Sequence, residues 1–168
     1  IYLYPSFSGS VIFSEFIKNK SFMNYGKIRA SWARVGRDTD PYQLALNYNT
    51  GKYSYSGYTI GMINNNTQPN KDLKPTMTSS YELGLEMKFF NNRLGLDITY
   101  YDQTSKDQII SLASSSSTGY NYRLINAGEI QNRGIEAALN GRILQIKAFA
   151  WDAGVNFSKN LKKVNSHV

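Results

Sequence analysis

Four tyrosines, Tyr48, Tyr53, Tyr55 and Tyr58, fall within eleven residues of a segment otherwise rich in Asn, Gly, Ser and Thr. Exposed aromatics on a loop stack on sugar rings or clamp peptides, and their hydroxyls reach polar groups. Binding of an oligomeric ligand is therefore the chemistry these residues are suited to. Asn121, Tyr122 and Arg123 repeat the combination on a smaller scale. The competing reading is that the rings pack the loop against its neighbours or against a capping protein.

Catalytic chemistry lacks its parts. Glu82 and Glu86 share a strand face four residues apart, which separates their backbones by about 13 Å. Glycosidase carboxylate pairs stand about 5 to 9.5 Å apart, so the two read as lumen charges of a barrel wall. His167 is the one histidine and there is no cysteine. Neither a His-assisted nucleophile nor a multi-His or thiolate metal site can be assembled from that inventory, and no enzyme is expected. Asp38 and Asp40, two apart before Pro41, are a calcium candidate, since such carboxylates can share a hard cation; the turn into the proline explains them as well.

The elements that must position these residues show a period of two. Tyr81, Leu83, Leu85, Met87 and Phe89 alternate with Glu82, Gly84, Glu86 and Lys88. After Asn91-Asn92 the pattern resumes, with Leu94, Leu96, Ile98 and Tyr100 against Gly95, Asp97 and Thr99. One face is greasy and the other fully charged, the division needed by a wall between lipid and a water-filled lumen, because Lys or Arg facing lipid at the midplane costs about 2 to 4 kcal/mol. A transmembrane β-barrel wall is the fold this predicts. The mean hydropathy of −0.44 does not oppose it, since lumen residues dilute each strand. No apolar run approaches the roughly 20 residues of a membrane-crossing helix. The net charge of +7 is spread along the chain, without the contiguous basic and aromatic face that nucleic acid requires.

Six strands are expected, over about Tyr4 to Ser14, Tyr25 to Val35, Ser79 to Phe90, Arg93 to Ile110, Gly128 to Asn140 and Phe149 to Asn160. Short connections alternate with long ones. Glu15 to Asn24 (with a helical turn capped by Ser14), Asn91-Asn92 and Gly141 to Lys147 are the short, periplasmic ones; Gly36 to Met77 and Ser111 to Leu124 are the long, extracellular ones. Within the first long loop, Leu44 to Asn49 and Tyr53 to Ile60 can pair around Asn49-Thr50-Gly51. Aromatics (Tyr25, Phe89, Phe90, Phe149, Trp151) gather by the short connections, as an interfacial girdle would. At 18 residues, about 60 Å, the fourth strand should rise well above the membrane.

Six strands cannot close a lipid-embedded barrel, because single-chain barrels begin at about eight and open edges leave backbone groups unpaired. The chain is thus expected to be a fragment, and its start without Met or signal peptide agrees with that or with a processed leader. Counting the loop hairpin as two more strands gives the alternative of an eight-stranded adhesive or structural barrel. A soluble glycan-binding β-sandwich is a third reading.

Four segments carry a resemblance: Ile28 to Tyr42 (IRASWARVGRDTDPY), Asp72 to Glu86 (DLKPTMTSSYELGLE), Phe89 to Tyr101 (FFNNRLGLDITYY) and Asn126 to Glu136 (NAGEIQNRGIE). Together and in this order they resemble SusC/RagA-type TonB-dependent transporters of Bacteroidota. The resemblance implies a 22-stranded barrel with an N-terminal plug, capped by a SusD-like surface lipoprotein and energised through TonB, that imports glycans or peptides without a cofactor. Residues 1–168 correspond to a run of strands in the C-terminal part of such a barrel domain, with the plug, the TonB-contacting segment and the closing strands lying elsewhere.

Overall fold

The computed structural model describes residues 3–17, 22–40, 44–46, 48–63 and 66–165, with 48–53 and 60–63 as backbone alone. Eleven strands are found among them: β1 (Ser6–Val11), β2 (Met23–Arg37), β3 (Tyr48–Tyr55), β4 (Tyr58–Ile63), β5 (Thr67–Gln68), β6 (Thr76–Phe89), β7 (Leu94–Lys106), β8 (Ile109–Ala113), β9 (Tyr122–Asn126), β10 (Glu129–Ile146) and β11 (Phe149–Asn165). Contacts divide the chain into two units. The first contains Ile1–Val35, Thr78–Thr104 and Ile130–Asn165; the second contains Gly36–Met77 and Ser105–Glu129.

The first unit is a six-stranded sheet in the order β1-β2-β6-β7-β10-β11, the six strands that the alternation predicts. β1 and β2 pair antiparallel, Phe7 opposite Trp32, Gly9 opposite Ala30 and Val11 opposite Ile28. Between β2 and β6 the Phe90 amide donates to Phe22 O (3.3 Å) and the Ser80 hydroxyl to Ala33 O (3.5 Å), so partner numbers fall as residue numbers rise, which makes this pair antiparallel too. No large apolar side chain is buried among the described residues; Leu83 and Phe157 are each 56% exposed. That exposure argues against a β-sandwich, whose inner faces would cover each other.

The apolar face is banded. Phe22, Phe89 and Phe90 cluster by the short connections, with centroids 5.0 to 6.5 Å apart. A second aromatic row of Phe7, Trp32, Tyr81, Tyr100 and Phe157, which the alternation alone did not reveal, lies further along the strands. Counted inclusively, the stretch from Phe89 back to Tyr81, or from Phe149 forward to Phe157, is nine residues. Crossing a bilayer takes a tilted strand roughly 9 to 11 residues. Beyond this row the same face turns polar: Gln131 Nε2 donates to both carboxylate oxygens of Asp102, at 2.9 and 3.1 Å.

Several boundaries differ from expectation, each for a local reason. The Gly141 to Lys147 segment is strand as far as Ile146, and the turn is Lys147 and Ala148 alone; Arg142 alternates onto the polar face, where its Nε meets Asp152 of β11 at 2.8 Å. The expected fourth strand ends at Lys106, because Asp107 adopts φ +54 and diverts the chain into β8. The turn at Asn91-Asn92 takes four residues, with Phe90, Asn91 and Asn92 all left-handed (φ 53, 56 and 62) and the Arg93 amide returning to Phe90 O. Ser14 does not cap. It lies inside the 3-10 turn Phe13–Phe16, buried, and Ile12 occupies the cap position without a side-chain bond. β1 is accordingly shorter than its predicted span.

The second unit holds the loop elements. β3 and β4 form a two-stranded sheet of their own, not hydrogen-bonded into the wall, which removes the count of eight. Their turn is Ser56-Gly57, both at positive φ (51 and 85), as the twist-matched two-residue hairpin requires, and not Asn49-Thr50-Gly51, which lies within β3 with Asn49 opposite Met62 and Thr50 opposite Gly61. β8 and β9 pair antiparallel and β5 joins β9 in parallel, giving the expected Ser111 to Leu124 loop a sheet at both ends.

Candidate functional site

The polar face of the wall is organised around Arg29. Its guanidinium leaves β2, crosses β6 above Gly84 and reaches β7, where Nη1 and Nη2 donate to the two Asp97 oxygens at 3.1 and 3.0 Å and Nη2 to Thr99 Oγ1 at 2.6 Å. Glu82 stands 3.9 Å from Nε. A Cβ at Gly84 would collide with the Arg29 side chain, Cγ lying 2.6 Å away. Glycine lets the arginine lie directly on the strand, a close approach that a larger residue would obstruct by pushing the side chain aside.

Tyr101 of β7 does the same one strand further on. Its hydroxyl and the backbone carbonyl of Lys159 on β11 would each stand 2.6 Å from a Cβ at Gly134 of β10. Beside Arg29 the face opens into a groove of about 340 Å³ lined by Ser8, Ser10, Lys27, Ser31 and Glu82. A second, of about 490 Å³, is lined by Asp97, Thr99, Glu136, Asn156 and Ser158. Charged and amide groups within one strand spacing of each other suit a polar, hydrated ligand held by many weak hydrogen bonds. Glu82 and Glu86 are each matched by a cation here, Glu86 by Lys88 at 3.6 Å.

In the second unit Tyr55 and Tyr58 lie opposite each other on either side of the Ser56-Gly57 turn. Both are free of covering, at 76% and 79% exposure. Tyr48 and Tyr53 are on β3, and their side chains lie outside the described residues. Asn121, Tyr122 and Arg123 sit at and within the start of β9, exposed, with the Asn121 and Tyr122 amides both donating to Asn66 O at 2.9 Å and Arg123 opposite Gln68 and Leu112. The tyrosine pair and this triplet therefore belong to separate sheets. Asp38 Oδ1 accepts the Thr39 amide at 2.9 Å, the local turn bond that competes with a cation. No group of three or more metal-ligating side chains occurs among the described residues. His167 lies outside them.

A brace that the sequence did not reveal organises this unit. Asn126 at the end of β9 donates through Nδ2 to Lys74 O (2.7 Å) and Asp107 O (2.9 Å), while its Oδ1 accepts the Lys74 amide (2.7 Å). Asp107 O also receives Thr76 Oγ1 at 3.1 Å. The carbonyl freed by the left-handed Asp107 is thus satisfied twice, as a bond-poor bend must be.

Several known proteins are similar to this chain. A TonB-dependent receptor of Formosa agariphila is 30% identical over 96% of the chain. The TonB-dependent receptor SusC of Bacteroides thetaiotaomicron is 25% identical over 89%. The structure of the RagAB peptide transporter superposes over 98% of the chain with a TM-score of 0.83 at 23% identity, a likeness of fold. The chain spans 17%, 16% and 18% of those three, respectively, about one sixth of their length. Residues 4–165 match the family model described as TonB dependent receptor-like, beta-barrel; the chain belongs to that family of outer-membrane β-barrel receptors.

Proposed function

We propose that this chain is part of the wall and extracellular loops of a SusC-like importer that takes up oligomeric nutrients, glycans or peptides, together with a SusD-like surface lipoprotein and with energy delivered through TonB. In this reading the polar face of the six-stranded sheet lines the lumen, and its two grooves give a hydrated oligomer successive hydrogen-bonding stations. The observation that carries it is the β3–β4 tip, where Tyr55 and Tyr58 present two uncovered rings across a tight turn. Aromatic faces of that kind hold sugar rings or peptide side chains while hydroxyls supply polar contacts. The relatedness to SusC supports the importer class. Tyr48, Tyr53, Asn121, Tyr122 and Arg123 complete the proposed ligand-contacting set, and no resident cofactor takes part.

The test is uptake of fluorescent oligosaccharide and oligopeptide pools by cells whose polypeptide carries Tyr55→Ala with Tyr58→Ala. Uptake of one pool is expected to fall about tenfold, the effect of losing about 1.4 kcal/mol of ring contact, with unchanged outer-membrane abundance. Full uptake of both pools by the double variant would overturn the tyrosine site.

A further inference from the structure

The apolar face carries a notch. Phe7 and Trp32, opposite each other on β1 and β2, stack with centroids 5.8 Å apart and planes 11° from parallel. The next pair toward the short connections is Gly9 with Ala30, two of the smallest side chains available, and the pair after that is Val11 with Ile28. On the other flank Tyr81 and Leu83 rise from β6. Between these walls lies a groove of about 430 Å³ bordered almost wholly by carbon. The space over Gly9 is open, with nothing within 4 Å of where a Cβ would stand.

Arg34 is the next residue after Trp32 on this face of β2, about 7 Å further along the strand. It is exposed, and its side chain has no ion-pair or hydrogen-bond partner among the described residues. The order along the face is therefore Val11–Ile28, a slot of small residues, an aromatic lintel and a lone guanidinium at the outer aromatic row. Lipid phosphates stand just beyond such a row. The planar fork of arginine grips phosphate oxygens two at a time.

We propose that this notch holds one acyl chain of an anionic, phosphate-headed lipid of the outer leaflet, with the phosphate on Arg34. An apolar slot alone would accept any chain. The unpaired cation at its mouth selects the head group, and the Gly9–Ala30 floor lets the chain sink between the rings so that it exchanges more slowly than its neighbours. The proposal rests on the outer-membrane fold and is independent of what the barrel imports.

The polypeptide as it occurs in the outer membrane, purified in detergent and incubated with dioleoylphosphatidylglycerol or dioleoylphosphatidylcholine, is examined by native mass spectrometry. The parent protein is expected to retain one more phosphatidylglycerol than an Ala30→Leu variant, whose side chain fills the slot. It should prefer phosphatidylglycerol over phosphatidylcholine about fivefold, a preference lost in Arg34→Gln. Gly9→Leu fills the same space from the other strand and substitutes for Ala30→Leu if that variant fails to assemble. Equal lipid retention by parent and filled-slot protein, or an undiminished head-group preference in Arg34→Gln, would overturn the proposal.

Discussion

Arg29 and Asp97 form a two-pronged ion pair across an intervening strand, and the guanidinium can lie flat enough to do so because Gly84 beneath it has no side chain. Both partners are about one-third exposed, 34% and 38%, so the pair itself is a modest contributor, about 0.2 to 1 kcal/mol.

The first prediction follows from that modest value. Arg29→Ala should lower the urea midpoint of the folded barrel slightly, and Gly84→Ala, which forces the flexible Arg29 side chain off the wall, should cost about as much, about 0.2 to 1 kcal/mol. Gly84→Ala in an Arg29→Ala background should then cost markedly less than the two single changes summed. Additive effects would mean that Gly84 serves the backbone and not its neighbour's side chain.

Face assignment is tested by a pair of charges. Ile98→Lys places an ammonium on the apolar side of β7 and is expected to abolish assembly, given about 2 to 4 kcal/mol at the midplane. Asn156→Lys places it on the polar side of β11, which also carries Glu136 of β10 nearby, and should leave the heat-modifiable folded form abundant. Equal loss of both variants would contradict the assignment of one face to lipid and the other to the lumen.

At the tight turn, the Asn91 amide donates to Asn24 Oδ1 at 2.6 Å and Asn24 Nδ2 returns to Asn91 Oδ1 at 3.2 Å. Asn91→Ala removes the returning bond and leaves an alanine in the left-handed region, about 2 kcal/mol in all. Asn92→Gly only relieves the same backbone conformation, so this variant should be at least as stable as the parent in the same urea titration.

Asn126→Ala should act locally. Its three side-chain bonds tie Lys74 to Asp107 within the second unit. Amide exchange at Lys74 is expected to accelerate about tenfold or more while amides of β7 and β10 hold their protection. Uniform loss of protection would show that the brace supports the whole fold.

Chelation of divalent ions by EGTA should leave the unfolding midpoint and ligand uptake unchanged, because no group of three or more His, Cys, Asp or Glu side chains gathers around Asp38 and Asp40 among the described residues. A shift restored by calcium would assign Asp38 and Asp40 as ligands.

The wall was legible in the sequence because alternation is a direct imprint of two solvents on one strand: Leu83 against Glu82 and Ile98 against Asp97 are sufficient to orient both strands. Strand ends were not. Gly141 and Arg142 have the composition of a turn, yet Arg142 alternates correctly and finds Asp152 on the next strand, a partner invisible until the hairpin is paired. Asp107 ended a strand through one left-handed residue that no pattern marks. The tyrosines stand out in the sequence by their crowding, but the turn between Tyr55 and Tyr58 is placed only by the positive φ of Ser56 and Gly57. Arg29, Gly84 and Asp97 lie on three strands at long separations in the chain, and nothing local to any of them announces that they meet. Asn126 escaped notice for the same reason.

The side chains laid over Gly84 and Gly134 also bear on how the sheet counts its own residues. Displacing a strand by one position turns every side chain to the wrong solvent, so the alternation forbids it. Displacing it by two preserves every inside and outside assignment, and neither hydrophobicity nor backbone pairing would object. The slip would, however, bring Glu82 or Glu86 beneath the guanidinium of Arg29 in place of Gly84, and Asn132 or Glu136 beneath Tyr101 in place of Gly134. The two glycines thus work as parity-independent index marks, correcting the one class of mispairing to which an alternating wall is otherwise blind.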